Sequence, residues 1–138
     1  MKVAVIYWSQ TGNTEAMANA VASGAKAKGA DVDLIVADGS DVDVTSYDGV
    51  ALGCPAMGAE ELEDSEFQPT YDSLKDSLAG KKVALFGSYG WGDGEWMRTW
   101  EADIAGAGVT LAAESVMANE APDDDAVAAC EALGAALA

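Results

Sequence analysis

A run of small polar residues close to the amino terminus has the composition of an anion-binding loop. Residues 9–14 read Ser-Gln-Thr-Gly-Asn-Thr, between an apolar run and a stretch with helical spacing. A loop that opens a helix points backbone N–H groups and the positive end of the helix dipole at one place, which suits a phosphate. Hydroxyl and amide side chains add donors, and glycine lets the backbone approach closely. The candidate phosphate ligands are Ser9, Gln10, Thr11, Gly12, Asn13 and Thr14.

The same loop contains no lysine or arginine, and this limits the kinds of phosphate ligand that it can bind. A GxxxxGK(S/T) loop needs its lysine for the β and γ phosphates, and a GxGxxG loop needs three glycines at fixed spacing. A single terminal phosphate fits residues 9–14 better than the ligand of either motif. Serine and threonine are also favoured at helix starts for purely structural reasons, so an ordinary helix cap is an equally open interpretation of this loop alone.

Two further loops place apolar and aromatic side chains where a loop would otherwise be polar. Residues 55–61 combine a rigid proline, the apolar Met57 and a permissive glycine. Residues 87–94 present Tyr89 and Trp91 among four glycines, which leaves the rings accessible to a planar ligand. Taken alone, Met57 is typical of a core residue and Trp91 of packing against the next helix. Their joint occurrence favours a ligand.

The elements that must position these loops follow from the spacing of apolar residues. Runs rich in β-branched residues predict five strands, at residues 3–8, 32–36, 49–54, 82–88 and 109–116. Apolar side chains at helical spacing predict four helices, at residues 14–28, 65–78, 95–105 and 124–137. The acidic segment 38–48 lacks a helical apolar face, so a loop is expected there.

This alternation predicts a single α/β domain over residues 1–138. Strands joined by helical crossovers are parallel, and right-handed crossovers place the helices on both faces of a doubly wound sheet. With the strand order 2-1-3-4-5, the three loops follow the carboxyl ends of adjacent strands and share one crevice. The predicted ligand is a flat ring with a phosphate tail.

Composition excludes several other kinds of chemistry. The chain has no histidine, which removes the usual general base and the commonest transition-metal ligand, so no metal site is predicted. The formal net charge of −17, from 24 acidic and 7 basic residues, disfavours nucleic acid and anionic membranes and favours a basic protein partner. No membrane span or cleaved leader is predicted, and the protein is expected to be cytoplasmic. Cys54 and Cys130 are expected to be free thiols, since disulfides are rare in that compartment.

Four segments of the chain carry a family pattern. They are residues 9–14, residues 52–58 (Leu-Gly-Cys-Pro-Ala-Met-Gly), residues 85–94 (Leu-Phe-Gly-Ser-Tyr-Gly-Trp-Gly-Asp-Gly) and residues 119–123 (Asn-Glu-Ala-Pro-Asp). In this order and spacing the chain resembles, nearly end to end, the short-chain flavodoxins of anaerobic bacteria, of the clostridial type. The resemblance implies a flavodoxin-like fold and non-covalent binding of FMN. Beyond the first loop, the implied FMN-binding residues are Pro55, Ala56, Met57, Gly58, Ala59, Glu60, Gly87, Ser88, Tyr89, Gly90, Trp91, Gly92, Met117, Ala118, Asn119 and Glu120.

The resemblance also implies roles for individual residues. The first loop would hold the FMN phosphate, Met57 and Trp91 would cover opposite faces of the isoalloxazine ring, and Glu60 would accept a hydrogen bond from the flavin N3–H. The peptide after Met57 would flip on one-electron reduction, which a glycine at the next position permits because it has no Cβ. Gln10 and Ala59 depart from the family pattern, and the second departure removes any side-chain contact at that position.

The implied function is that of a low-potential single-electron carrier, which cycles between the oxidised, semiquinone and hydroquinone forms of FMN and is not an enzyme. Its partners would be redox proteins with basic docking patches, reductases and low-potential acceptors, and a monomer is expected. The alternatives are an FMN-dependent NAD(P)H or quinone reductase, which needs an open flavin face, and a specialised flavodoxin-like activator. A phospho-acceptor receiver domain shares the strand and helix alternation, but the chain lacks the acidic residues that it needs after strands one and three.

Overall fold

Five parallel strands form one sheet at the centre of the protein, and the computed structural model describes all of residues 1–138. The strands are β1 (Lys2–Tyr7), β2 (Asp31–Val36), β3 (Gly49–Gly53), β4 (Lys82–Tyr89) and β5 (Val116–Asn119). Their order across the sheet is β2-β1-β3-β4-β5 and every pairing is parallel, as predicted. The apolar β3 is buried along its whole length in the middle of the sheet, whereas the edge strand β2 is largely exposed.

Four helices cover both faces of this sheet. They are α1 (Asn13–Ala27), α2 (Phe67–Leu74), α3 (Glu95–Gly106) and α4 (Asp124–Leu137), and a short 3-10 helix, Lys75–Ser77, extends α2. The apolar sides of α2 and α3 are buried on one face, where the rings of Phe67 and Trp100 meet edge to face with their centroids 5.4 Å apart. The other face is covered by α1 and α4. None of the helices combines the length and the apolar character that a membrane crossing requires.

The backbones of α1 and α4 touch through two glycines. A Cβ on Gly24 of α1 would overlap the carbonyl oxygen of Glu131, and a Cβ on Gly134 of α4 would overlap that of Val21. Glycine permits this approach because any other residue would place a Cβ between the two helices. The two glycines therefore set the separation of α1 from α4.

The fifth strand is the element whose predicted position is wrong, because β5 begins at Val116 and not at residue 109. Leu111 forms an isolated bridge with β4, and the ladder starts again at Val116. From 111 to 116 the chain advances five residues, while its partners on β4 advance three, from 83 to 86. The extra residues leave the ladder, and the hydroxyl of Ser115 donates to a carboxylate oxygen of Glu101 at 2.7 Å. An apolar run does not show where such an interruption falls.

The other predicted elements are present with small shifts in their ends. No helix or strand lies between β2 and β3, which confirms the loop predicted for residues 38–48. The second helix is shorter than predicted, since its α-helical part ends at Leu74. Cys54 and Cys130 are both free and buried. Burial raises the pKa of each thiol to about 12, so both are protonated at neutral pH.

A buried carboxylate, that of Glu63, caps the start of α2. Its oxygens accept hydrogen bonds from the backbone N–H groups of Ser65, Glu66 and Phe67, at 3.1, 2.7 and 2.8 Å. Burial by itself would raise the pKa of Glu63, but these bonds and one from the Ser65 hydroxyl outweigh it and hold the pKa below the usual 4.5. The ionised form of Glu63 is therefore the one that stabilises the fold.

Replacing Glu63 by glutamine is expected to lower the free energy of unfolding at pH 7 by about 1 kcal/mol, because one acceptor oxygen becomes an amide that faces N–H donors. A carboxyl whose pKa is lowered on folding contributes stability above its unfolded pKa and loses it as the pH falls through the folded value. The difference between wild type and variant should therefore shrink below pH 4.5. Urea unfolding at neutral and acidic pH measures it. The exposed Glu61→Gln serves as the control, and equal losses at both pH values would contradict an ionised cap.

Candidate functional site

The three predicted loops meet in one cleft at the carboxyl end of the sheet. Its volume is about 640 Å³, which is within the range of small-molecule sites. Fourteen of the fifteen residues that line it are predicted ligands: Ser9, Gln10, Thr11, Asn13, Thr14, Pro55, Ala56, Met57, Gly58, Ser88, Tyr89, Gly90, Trp91 and Glu120. The fifteenth, Ala121, was missed, and its place in the Asn-Glu-Ala-Pro segment is the signal that could have found it.

The first loop offers free backbone N–H groups to the cleft. Ser9 Oγ accepts hydrogen bonds from the N–H groups of Gly12 and Glu15, at 3.2 Å each. The interpretation as a helix cap therefore holds for this oxygen. The N–H groups of Asn13 and Thr14, in contrast, have no partner within the chain and lie at the positive end of α1. This terminus can receive an anion without a positively charged side chain.

A buried hydrogen bond joins the first loop to the end of β4. Thr14 Oγ1 and Ser88 Oγ lie 2.9 Å apart, and the two residues are 1% and 5% exposed. The carbonyl oxygen of Ser88 accepts a further hydrogen bond, of 3.0 Å, from the backbone N–H of Ala56. The end of β4 thus holds the first and second loops at fixed positions relative to the third.

The second loop is a tight hairpin. Met57 and Glu61 exchange two backbone hydrogen bonds of 2.8 Å, and the three residues between them form the turn. Gly58 and Glu60 have positive φ values, 51° and 56°, which are ordinary for glycine and uncommon for glutamate. Met57 is half-buried and lies outside both apolar cores, so it is not a core residue. Its side chain is free to cover one face of a planar ligand.

The carboxylate of Glu60 ties the second loop to the third. Its Oε1 accepts a hydrogen bond of 3.2 Å from the backbone N–H of Glu95, the first residue of α3. The residue before α3 is Gly94, which has no side chain to cap the helix, so Glu60 supplies this acceptor from another loop. The same carboxylate packs against Gly92, where a Cβ would overlap it. Glu60 therefore lies beside the cleft, with Oε2 free of hydrogen bonds.

The indole ring of Trp91 stands at the rim of the cleft. The residue is 55% exposed and belongs to neither apolar core. The buried tryptophan of this region is Trp96 of α3, whose indole N–H donates to the carbonyl oxygen of Cys54 at 3.1 Å. The ring of Tyr89, two positions before Trp91, packs against Trp96, with the two ring centroids 5.5 Å apart. Trp91 is thus the aromatic side chain that can stack on a planar ligand.

The last predicted segment, residues 117–120, enters the cleft only at its end. Glu120 lines the cleft and donates its backbone N–H to the carbonyl oxygen of Tyr89 at 2.7 Å. The exposed Met117 places its sulfur beside Gly94 instead. Eight predicted ligands do not line the cleft: Gly12, Ala59, Glu60, Gly87, Gly92, Met117, Ala118 and Asn119.

Charged side chains are unevenly distributed about the sheet. Five of the seven basic residues lie at the amino ends of the strands or near them, opposite the cleft: Lys2, Lys26, Lys28, Lys81 and Lys82. Arg98, which lies at the cleft end, is paired with Asp93 at 3.0 Å. The carboxylates of Glu60, Glu61 and Glu120 have no basic partner. The cleft therefore opens into a negative potential.

Fold and cleft together define a doubly wound α/β protein whose cleft can receive an anion at the start of α1 and a flat ring beside Trp91. The sequence profile of the flavodoxin family matches residues 5–134. The chain is 50% identical to the flavodoxin of Megasphaera elsdenii over 137 residues, 99% of this chain and 98% of that protein. It is 46% identical to the flavodoxin of Clostridium beijerinckii over 121 residues, 87% of this chain and 88% of that protein. The solution structure of two-electron reduced M. elsdenii flavodoxin matches with a TM-score of 0.86 and 48% identity, over 98% of this chain and 97% of that one.

The chain belongs to the flavodoxin family, which confirms the resemblance to the clostridial-type short-chain members. Members of this family bind FMN and transfer electrons to redox partner proteins. The protein is accordingly a small FMN-binding electron carrier and not an enzyme. Neither the family match nor the relatives favour the alternative of an FMN-dependent reductase.

Proposed function

We propose that residues 1–138 act as one FMN-binding domain that carries single electrons at low potential between partner proteins. The observation that carries this proposal is the presence, in one cleft, of free N–H groups at the start of α1 and of an accessible indole ring at Trp91. The free N–H groups suit a phosphate, and the indole ring suits a flat aromatic system. FMN contains both parts.

The donors of the first loop fit the FMN phosphate, and residues 9–14 are proposed to hold it. A helix terminus with free N–H groups stabilises an anion through those groups and through the helix dipole. Gly12 has a φ of 94°, a left-handed conformation that favours glycine, and this turn brings the next two N–H groups to the cleft. The hydroxyl of Thr11 and the amide of Asn13 add neutral donors.

Met57 and Trp91 are proposed to cover the two faces of the isoalloxazine ring. They line the cleft from the second and third loops. Residues 87–92 and 117–120 are proposed to border the edge of the ring. With both faces covered, a second planar substrate could not stack on the ring, and only an edge would be left for electron transfer. This arrangement supports the carrier over the reductase.

Two features of the hairpin at residues 57–61 support a role at the polar edge of the ring. Glu60 keeps Oε2 free while Oε1 is bonded to Glu95, so Oε2 is available to accept a hydrogen bond from the cofactor. A Cβ on Gly58 would meet no atom within 4 Å. Reorientation of the peptide that joins Met57 to Gly58 would exchange the hydrogen bond that the Met57 carbonyl accepts from Glu61, and glycine tolerates the positive and negative φ values that this change requires.

FMN supplies the redox chemistry when it is bound, since its ring accepts electrons singly. The residues of the chain set the energy of the added negative charge. One carboxylate about 10 Å away contributes about 0.4 kcal/mol of repulsion at the dielectric of water, and the unpaired carboxylates of Glu60, Glu61 and Glu120 act together. A low reduction potential is therefore expected.

The negative rim of the cleft is proposed as the docking site of redox partners with basic patches. Complementary charge accelerates encounter, and salt weakens it. A net charge of −17 opposes self-association, which supports a monomer. The two free, buried cysteines suit a reducing compartment, which supports a cytoplasmic location.

An anaerobic titration of the FMN-loaded protein with dithionite, and then with NADH or NADPH in the absence of a reductase, tests this function. We expect two separate one-electron steps with dithionite and no direct reduction by either pyridine nucleotide. Rapid two-electron bleaching by NADH or NADPH would contradict the carrier and favour the reductase.

A further inference from the structure

Two hydroxyl groups at the floor of the cleft leave one proton without an acceptor. Thr14 Oγ1 and Ser88 Oγ lie 2.9 Å apart, and either can be the donor. Each hydroxyl carries one proton, so their mutual bond uses one and leaves the other without a partner in the chain. Both residues line the cleft, although they are only 1% and 5% exposed. A buried donor without an acceptor is costly, and the free proton therefore points to an acceptor that enters the cleft.

The position of the two residues decides which hydroxyl holds the free proton. Thr14 lies in the first turn of α1, beside the free N–H groups and the positive end of the helix. Ser88 lies near the carboxyl end of β4, outside the first loop, and its hydroxyl contacts that of Thr14. An anion at the helix end attracts the O–H of Thr14. The O–H of Ser88 is then left to donate to Thr14 Oγ1.

We propose that Ser88 is a positioning residue for the cofactor phosphate and acts through the hydroxyl of Thr14. The inference rests on the proposed function, in which the first loop holds the phosphate. It places the influence of Ser88 at the phosphate, although the resemblance assigned this residue to the edge of the ring. A hydroxyl that accepts one hydrogen bond while it donates another is held in one orientation and is polarised as a donor. Ser88 thereby raises the affinity for the phosphate without touching it.

Binding of FMN and of riboflavin to the cofactor-free full chain separates a phosphate effect from a ring effect, because the two ligands differ only in the phosphate. Ser88→Ala is expected to raise the Kd for FMN about 3- to 10-fold and to change that for riboflavin less than about 2-fold. Thr14→Val, which removes the donor itself, is expected to raise the Kd for FMN about 10- to 100-fold. Thr14→Ser keeps the hydroxyl and should retain most of the FMN affinity.

The double variant tests whether Ser88 acts through Thr14. If it does, the double variant Ser88→Ala with Thr14→Val should bind FMN within about 2-fold of Thr14→Val alone. Without the Thr14 hydroxyl, the Ser88 hydroxyl has no group through which to act. If instead the fold-increase in the Kd for FMN of the double variant equals the product of the two single increases, Ser88 acts independently of Thr14, and the proposal is overturned. An equal loss of FMN and riboflavin affinity in Ser88→Ala would overturn it too, because that result indicates a ring contact or a purely structural role.

The affinities of the wild-type protein for FMN and riboflavin distinguish a failure of this inference from a failure of the proposed function. Equal affinities of the wild type for FMN and riboflavin would show that the first loop does not bind the phosphate, and both proposals would fail. A wild type that prefers FMN, with the same preference in Ser88→Ala, would leave the phosphate site standing and would overturn only the role of Ser88.

Discussion

Replacing Gly134 by valine is expected to lower the free energy of unfolding by about 3 kcal/mol, an effect at the upper end for overpacking of a well-packed core. The added Cβ would overlap the carbonyl oxygen of Val21 and come within 3.0 Å of the backbone nitrogen of Ala25. Both are backbone atoms of α1, so no rotamer change can relieve the overlap. The helices must separate, and the buried contacts around them loosen. Urea unfolding of the cofactor-free chain, followed by circular dichroism, measures the loss.

A matched substitution at another helical glycine gives the control. Gly106 is the last residue of α3, and a Cβ there would meet no atom within 4 Å. Gly106→Val should therefore change the free energy of unfolding by less than about 0.5 kcal/mol. If the two variants lost the same amount, the cost would come from the residue type and not from the contact between α1 and α4. Gly24→Val, on the opposite side of that contact, should resemble Gly134→Val.

Replacing Trp91 by alanine is expected to raise the Kd for FMN about 10- to 100-fold, since stacking of a base on an aromatic side chain contributes about 1–3 kcal/mol. The stability of the cofactor-free chain should stay within about 0.5 kcal/mol of wild type, because the side chain is already 55% exposed and packs in neither core. Fluorescence titration with FMN and urea unfolding measure the two quantities separately.

Two further variants show whether the loss comes from the ring itself. Trp91→Phe keeps an aromatic face and should retain most of the affinity. Val36→Ala removes a side chain that is 59% exposed on the edge strand β2, and it should leave FMN binding unchanged. An unchanged affinity in Trp91→Ala would refute the proposed stacking, and a loss shared with Val36→Ala would indicate a general effect of surface truncation.

Much of the fold could be predicted because its elements have local signals. Four of the five strands are short apolar runs that end at a turn, and the helices between them begin or end at glycines such as Gly12 and Gly29, whose φ values are 94° and 89°. Alternation of strands and helices then leaves few topologies. The convergence of the three loops follows from that topology, since all three lie at the carboxyl ends of parallel strands.

The contacts that hold the cleft together could not be predicted in this way. Glu60 reaches Glu95 over 35 positions, and Thr14 reaches Ser88 over 74. Each of these residues has an adequate local interpretation, as a turn residue, a helix start or a strand end, and nothing in the neighbouring sequence selects the distant partner. The start of β5 could not be predicted for the same reason, because it depends on the register with β4 and not on the apolar run that precedes it.

The end of β4 accepts hydrogen bonds from the backbone N–H groups of Ala56 and Glu120, and the hydroxyl of Ser88 is bonded to that of Thr14, so three segments of the chain share one support. The segment between β2 and β3 contributes no residue to the cleft and contains no regular structure. Extra residues in such a loop cost little free energy, because the entropy of closure grows slowly with length. Residues 39, 40 and 42 of this segment are hydrogen-bonded to α2, whereas Asp41 is exposed and makes no hydrogen bond within the chain. Asp41 is therefore a suitable place for a tether to an electrode surface or a fused partner, which would fix the carrier while the distances within the cleft stay unchanged.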